Sequence, residues 1–157
     1  MTAMLTSPEL ALFERLIDVG KLLEKRADRA TRQGVGLKYS QYEVLIRLRN
    51  AGGELRMAEL ANKLVSYPSG LTYHLDQLEK AGLATRATAP DDERGVLAQI
   101  TDRGRQFLLD AFDSQTEMIE DAVVRPLDSA TIEAVSSALG VLQVHLRGEA
   151  TGGMLPN

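Results

Sequence analysis

Polar side chains recur along one face of the segment 68–82, which Pro68 opens and Gly82 closes. Proline suits the first turn of a helix and glycine suits the residue just past its end, so this spacing predicts a helix over residues 68–82. Leu71, Leu75 and Leu78 share one face of that helix, and we expect this face to be buried. The opposite face carries hydroxyl, amide and amine groups, which can hydrogen-bond to base edges and phosphates of a nucleic acid.

The segments around this helix are the elements that must position it. Residues 57–64 form a short supporting helix with Leu60, Ala61 and Leu64 inward. Residues 83–87 and 96–100 partly alternate between apolar and polar, as the two strands of a ribbon do. Residues 88–95 are polar and contain Pro90, so we predict a turn there, and residues 54–56 can add a third strand. Residues 54–101 therefore have the pattern of a winged helix-turn-helix.

The chain resembles the MarR family of transcriptional regulators over nearly its whole length. The resemblance rests on the stretches LANKL, PSGLTYHLDQLEKAGL, VLAQIT and DRGRQFL. The wing signature of the family, Asp-x-Arg followed by a hydrophobic strand that ends in Leu or Ile and Thr, is matched by Asp92, Arg94, Ile100 and Thr101. The segment TYHL at 72–75 is also similar to the recognition helix of ArsR-type repressors.

The resemblance implies that helix 68–82 is a recognition helix whose N-terminus enters the major groove of DNA. There Gln77 can pair with adenine, whereas Lys80 can bind phosphate. Many relatives carry arginine where this chain has Tyr73 and Gln77, which weakens any inference about sequence preference. The other interpretation is an ordinary surface helix. The candidate DNA contacts on this helix and on the strand after it are Pro68, Ser69, Gly70, Thr72, Tyr73, Gln77, Lys80 and Arg86.

Arg94 is the candidate DNA contact of the wing. In a dimer it would enter the minor groove, where negative potential attracts a guanidinium group. The resemblance supports this role and suggests that Asp92 orients Arg94 or its neighbours through an ion pair. Asp91 and Glu93 should oppose the approach of DNA, so we expect a modest contribution from the wing. The other interpretation is an exposed turn held by a salt bridge.

Helices are predicted over the rest of the chain, so the expected fold is mainly α with a small antiparallel β-wing. A first helix covers residues 7–33, with Ser7 as its N-cap, and its two apolar stripes indicate burial on more than one side. Ser40 and Glu43 form a capping box that begins a second helix, and Thr101 caps a long helix that ends near Arg125. We expect one domain over residues 1–157, a last helix over 128–147 and a disordered tail over 148–157.

The last helix carries a narrow apolar seam of the coiled-coil type. A chain this short cannot cover such a seam without a partner, so the sequence predicts a homodimer. The resemblance implies that helices 7–33 and 128–147 form the dimer. The seam residues repeat at intervals of three and four, and they are Ile132, Val135, Leu139, Leu142 and Leu146.

Composition excludes several classes of protein. The chain has 157 residues, no cysteine and 2 histidines, which leaves neither disulfides nor a metal site, and no cofactor is expected. No apolar run is long enough to span a membrane and no secretory signal is visible, so we expect a cytoplasmic protein. The chain also lacks a phosphate-binding loop and a nucleophile elbow, so we do not expect an enzyme.

Charge does not by itself indicate a nucleic-acid partner. The formal net charge is −4, and residues 54–105 carry seven cationic against eight anionic side chains. Architecture nevertheless favours DNA binding, because a few well-placed cations are enough to contact phosphates. We expect a sequence-specific DNA-binding regulator, a repressor, that acts as a homodimer on pseudo-palindromic operators. The alternatives are a winged-helix interaction module with weak or lost DNA binding and an ArsR-like sensor without a metal site.

A small-molecule signal is the remaining expectation. The resemblance implies that phenolic or aromatic-acid ligands relax DNA binding from a cleft between the dimer helices and the DNA-binding lobe. The polar groups that can orient such a ligand there are Arg15, Tyr39 and Tyr42. The other interpretation is that Tyr42 belongs to the core and Arg15 to the surface.

Overall fold

A computed structural model describes residues 5–64 and 70–152, with side chains up to residue 148. The chain divides into two compact units, Met1–Met118 and Ile119–Asn157, and each is described by itself. The first unit contains, in order, α1 Ser7–Val35, α2 Tyr39–Asn50, β1 Glu54–Arg56, α3 Met57–Lys63, α4 Leu71–Lys80, β2 Ala84–Ala89, β3 Asp92–Ile100, α5 Asp102–Asp110 and most of α6 Phe112–Ile119. A π-helical turn, Glu120–Val124, and α7 Ser129–Gly152 follow in the second unit. The expected fold, mainly α with a small antiparallel β-wing, is confirmed.

The core of the first unit is built from leucines that recur at helical spacing. Leucines of α2, α3 and α4 meet there, and Leu45, Leu60 and Leu75 are fully buried. Each such side chain contributes roughly 1.5–3 kcal/mol by leaving water. The buried face of α4 is the predicted one, since Leu71 and Leu78 belong to the same core.

The ends of α4 follow from local chemistry. The helix begins at Leu71, after the N-cap Gly70. Pro68 and Ser69, where the sequence predicted the helix to begin, lie outside the described residues. At the other end Gly82 has φ +72°, the left-handed conformation that glycine adopts at no steric cost. The Gly82 N–H donates to the Glu79 carbonyl at 2.9 Å, which satisfies an acceptor at the end of the helix.

The wing is longer than the sequence suggests. The three strands form an antiparallel sheet in the order β1-β3-β2, and the predicted third strand, β1, is confirmed. The prediction of a turn over 88–95 is wrong, because β2 runs to Ala89 and β3 begins at Asp92, and these two residues pair. Only Pro90 and Asp91 remain between the strands. The polar composition of the segment misled the prediction, since strands that stand in water need no apolar side chains.

Two predicted helix starts are displaced by one or two residues. The N-cap of α1 is Thr6 rather than Ser7, and the Thr6 N–H donates to the Glu9 carboxylate at 2.5 Å. The N-cap of α2 is Lys38, whose N–H donates to the Gln41 side chain at 3.1 Å, so the capping box predicted for Ser40 and Glu43 is wrong. In both cases the side chain three residues after the cap supplies the acceptor.

Thr101 caps α5 as predicted, and its hydroxyl accepts the Gly104 N–H at 3.0 Å. The long helix predicted from Thr101 to Arg125 is interrupted at Ala111, which separates α5 from α6. A buried hydrogen bond of 3.0 Å from the Gln115 amide to the Thr31 hydroxyl ties α6 to α1.

The second unit contains α7, which Asp128 caps by accepting the Thr131 N–H at 2.7 Å. The helix predicted over residues 128–147 runs from Ser129 to Gly152, so it extends into the tail 148–157 for which the sequence predicted disorder. Glycine lowers helix propensity by about 1 kcal/mol relative to alanine but does not forbid a helix. Residues 153–157 lie outside the described part. None of the helices in the described ranges is both long and apolar enough to cross a membrane.

Candidate nucleic-acid interface

The outer face of α4 is polar and open to solvent. Thr72, Tyr73 and Lys80 are exposed, with 56% of the Tyr73 surface accessible, whereas Gly70 and Gln77 are half-buried. This arrangement follows from the leucines on the inner face, which turn the intervening residues outward. The helix therefore presents hydroxyl, amide and amine groups together on one surface.

Arg86 of β2 ties the wing to α4. Its guanidinium Nη1 lies 2.7 Å from Asp76 Oδ1 and also donates to the Glu79 carboxylate, and Nη2 donates to the Thr72 carbonyl at 3.0 Å. The Arg86 backbone N–H donates to the same Glu79 side chain at 2.8 Å. The sequence suggested a DNA contact for Arg86. In the structure the backbone N–H and both Nη groups of Arg86 bind groups of α4, and they fix α4 against the ribbon.

Arg94 and Asp92 lie at the tip of the wing. Arg94 is exposed, and its guanidinium has no ion-pair partner among residues 5–64 and 70–152. Asp92 orients the tip through a hydrogen bond, in which its Oδ1 accepts the Arg94 backbone N–H at 3.0 Å. Its ion pair is with Arg56 and not with the Arg94 guanidinium. Its other carboxylate oxygen, Oδ2, lies 3.8 Å from Arg56 Nη1.

Arg56 is the residue that sequence reasoning missed at this site. It is the last residue of β1, and its guanidinium pairs with Asp91 as well as with Asp92. Arg56 and Asp91 stand 35 residues apart in the chain, so no local pattern could have indicated this contact.

The chain is similar to proteins of known structure. Sco3205 of Streptomyces coelicolor, a MarR family regulator whose crystal structure is a complex with DNA, superposes with a TM-score of 0.83 and 26% identity over 91% of this chain and 90% of that one. AbsC, a MarR family regulator of the same organism, superposes with a TM-score of 0.82 and 26% identity over 94% and 99% of the two chains. The family model described as MarR family matches residues 37–96. The chain is thus similar to MarR family regulators, in sequence over this segment and in fold over most of its length.

The curated relatives that this chain matches are named as transcriptional regulators of the HTH type. YdgJ of Bacillus subtilis, itself uncharacterised, is 31% identical over 64% of this chain, and MhqR of the same organism is 30% identical over 56%. The chain spans 58% of the length of YdgJ and 60% of that of MhqR.

A cavity of about 410 Å³ is lined by residues of α1, of the start of α2 and of α4. Tyr39 is half-buried in its wall, and burial together with the nearby Glu43 carboxylate raises the pKa of its hydroxyl. His74 of α4 also reaches the cavity, and its ring meets that of Tyr73 edge-on at 5.6 Å between centroids. The lining residues are Lys21, Glu24, Lys25, Asp28, Arg32, Lys38, Tyr39, Ser40 and His74.

The three residues predicted to orient a ligand are not brought together in this cavity. Tyr42 is only 8% exposed and belongs to the hydrophobic core, with its ring 6.1 Å from that of Tyr39. Arg15 is exposed on α1, and neither residue lines the cavity. Of the three, Tyr39 alone lines this cavity.

His74 is buried on α4, with 9% of its surface exposed. Burial lowers the pKa of the His74 imidazole, and the charge on Lys38 lowers it further. The neutral ring is therefore favoured near neutral pH. Among residues 5–64 and 70–152, no three His, Cys, Asp or Glu side chains come together as metal ligands would.

Proposed function

We propose that this protein is a sequence-specific DNA-binding transcriptional regulator, a repressor that acts as a homodimer on pseudo-palindromic operators in the cytoplasm. The observation that carries the proposal is the outward polar face of α4, held by Arg86 beside a wing whose exposed tip carries Arg94. The likeness to Sco3205, solved in complex with DNA, supports it at 26% identity.

DNA binding can be tested by fluorescence anisotropy at low salt, with a duplex from the region upstream of the protein's own coding sequence and a scrambled duplex as control. We expect tighter binding to the first duplex. Equal and negligible affinity for both would instead favour an interaction module that has lost DNA binding, the reading that the net charge of −4 favours.

Substitutions at two residues of α4 should change DNA binding in different ways. Gln77→Ala should weaken discrimination at one base position, because an amide can pair with a base edge. Lys80→Ala should lower affinity for every sequence alike and reduce the salt dependence, because an amine binds phosphate. The same salt-dependent loss in both variants would mean that Gln77 reads no base.

The homodimer is supported by apolar surface that the single chain leaves open. On α1 the exposed apolar side chains are Leu10, Leu12, Phe13, Ile17, Val19 and Leu22. On α7 they include Val135, Leu139, Leu142 and Leu146 of the predicted seam, while Ile132 is half-buried. Side chains of this size in such numbers are costly to keep in water.

Light scattering at micromolar concentration tests the homodimer. Leu139→Lys with Leu142→Lys should give monomer or unfolded protein, since both changes put charge into the seam. Ala134→Lys with Ser137→Lys is the matched control, because helical spacing places these exposed residues on the opposite side of α7. A folded wild-type monomer would refute the proposal.

A small phenolic or aromatic-acid ligand is the signal that we propose for this regulator. The cavity beside Tyr39 has a volume in the range of small-molecule sites, and lysines in its wall, Lys21, Lys25 and Lys38, can attract an acid. His74 brings α4 into the same wall, so a ligand there can bias the position of the recognition helix.

Salicylate and phenol, titrated against the free and the DNA-bound protein, are suitable probes. Coupling is reciprocal, so DNA must weaken ligand binding by the factor by which the ligand weakens DNA binding. Tyr39→Ala should remove the response, whereas Arg15→Ala, outside the lining, is the control. DNA affinity that no such compound changes would indicate a constitutive binder.

A further inference from the structure

The tip of the wing carries the wrong charge for a DNA-binding element. Residues 91–94 are Asp, Asp, Glu and Arg, so three carboxylates surround the one guanidinium that can meet a phosphate backbone. Asp91 and Asp92 are open to water, with 72% and 52% of their side-chain surfaces exposed. Unpaired carboxylates in such a position repel DNA over roughly the Debye length of 8 Å at physiological salt.

Arg56 counters this charge from the neighbouring strand. Its Nη2 group donates to Asp91 Oδ1, and its Nη1 lies 3.8 Å from Asp92 Oδ2, so one guanidinium spans two carboxylates. The base of the side chain is fixed, since the Arg56 backbone N–H donates to Glu59 at 3.2 Å and Arg56 pairs with Leu97 across the sheet.

Gly95 provides the space for this contact. A Cβ atom at residue 95 would lie 2.7 Å from Arg56 Nη1, 2.9 Å from the Ala89 Cβ and 3.1 Å from Asp92 Oδ2. Any side chain there would displace the guanidinium from the wing. Gly95 is not in the left-handed conformation, so close approach rather than backbone freedom explains the glycine.

We infer that Arg56 is a positioning residue for the wing: it holds Asp91 and Asp92 together, partly neutralises them and leaves Arg94 as the leading charge towards DNA. The Asp92 carboxylate, oriented by Arg56, in turn accepts the Arg94 N–H at 3.0 Å and so sets the backbone from which Arg94 projects. This inference rests on the proposed DNA binding. It adds that Arg56 acts through the two aspartates and not by touching a phosphate.

A mutant cycle tests the inference on the full-length protein. The probe is a duplex enriched from a random-sequence library on the wild-type protein, and the readout is affinity over a series of salt concentrations. Arg56→Ala should weaken binding about tenfold or more, because it exposes two carboxylates to the phosphates. The double variant Asp91→Asn with Asp92→Asn should bind the duplex with an affinity within about threefold of wild type. Addition of Arg56→Ala to that double variant should lower the affinity by no more than about a further threefold.

Other variants separate positioning from simple loss of charge. Arg49→Ala, which removes an exposed guanidinium from the end of α2, is the control and should change affinity little. Arg56→Lys retains the charge but replaces the planar fork that spans two carboxylates, so its affinity should lie between wild type and Arg56→Ala. Thermal unfolding of each variant shows whether the fold is intact, and Arg56→Lys serves if Arg56→Ala fails to fold.

Three results would count against the inference. Affinity unchanged in Arg56→Ala, or equal to wild type in Arg56→Lys, would overturn it. An equal loss of affinity on Arg56→Ala in the wild-type chain and in the double Asn variant, with a salt dependence of the affinity whose slope is smaller by about 0.9, would identify Arg56 as a phosphate contact instead. Failure of the wild-type protein to enrich any duplex would refute the proposed function itself, before the cycle begins.

Discussion

Replacement of Arg86 by methionine tests how the recognition helix is held. Methionine keeps an unbranched stem of similar reach but removes the guanidinium, which contacts Asp76, Glu79 and the Thr72 carbonyl. Arg86 is 25% exposed, so these contacts are only partly screened by water. The backbone hydrogen bond from Arg86 to Glu79 remains in the variant.

The expected cost follows from the contacts that are lost. The hydrogen bond from the charged guanidinium to the Thr72 carbonyl contributes about 1.5 kcal/mol, and each ion pair with a partly exposed carboxylate contributes about 0.5 kcal/mol. The free energy of unfolding should therefore fall by about 2–3 kcal/mol. For a chain of this length this corresponds to a decrease in Tm of about 5–10 °C.

Calorimetry and DNA-binding assays at several salt concentrations together decide the role of Arg86. If Arg86 acts by holding α4 against the ribbon, as a clamp, Arg86→Met should lower both Tm and DNA affinity. The slope of log affinity against log salt concentration, the salt slope, should stay unchanged, since no phosphate contact is lost. Lys80→Met, on the exposed end of the same helix, is the matched control and should lower the salt slope with little change in Tm. An unchanged Tm in Arg86→Met, with a salt slope smaller by about 0.9, would refute the clamp and restore Arg86 as a phosphate contact.

Three more outcomes are expected. Gly104→Ala should destabilise the protein by about 1–3 kcal/mol in urea unfolding, because its Cβ would lie 2.2 Å from the Leu83 carbonyl oxygen; Gly140→Ala, with nothing within 4 Å, should not. Arg94→Ala should weaken DNA binding by about 1–3 kcal/mol with an unchanged Tm, and equal affinity at matched salt would reduce Arg94 to a turn residue. Because the pKa of His74 is lower in the folded protein, the unfolded chain takes up the proton at a higher pH than the folded chain does. The free energy of unfolding should therefore fall as the pH drops below about 6.5. In urea unfolding, His74→Gln should make this pH dependence weaker.

Local patterns in the sequence were enough to predict the order of the elements. The spacing of Leu71, Leu75 and Leu78 identified the buried face of α4, and that face is buried in the structure. Gly82 and Thr101 were correctly assigned to helix ends, because capping involves residues only three or four positions apart. Such signals act within one turn of helix or along one strand, so they can be read without knowing the fold.

Tertiary structure decided which charged groups are engaged and which remain exposed. Arg86, a predicted DNA contact, binds Thr72 on α4, 14 residues away, and Tyr42, predicted to orient a ligand, lies in the core. Arg56 gave no signal at all, since its partners lie across the sheet and 35 residues along the chain. A charged side chain can pair with whatever the fold brings within about 4 Å, and folding places α4 and the tip of the wing beside residues that are distant in the sequence.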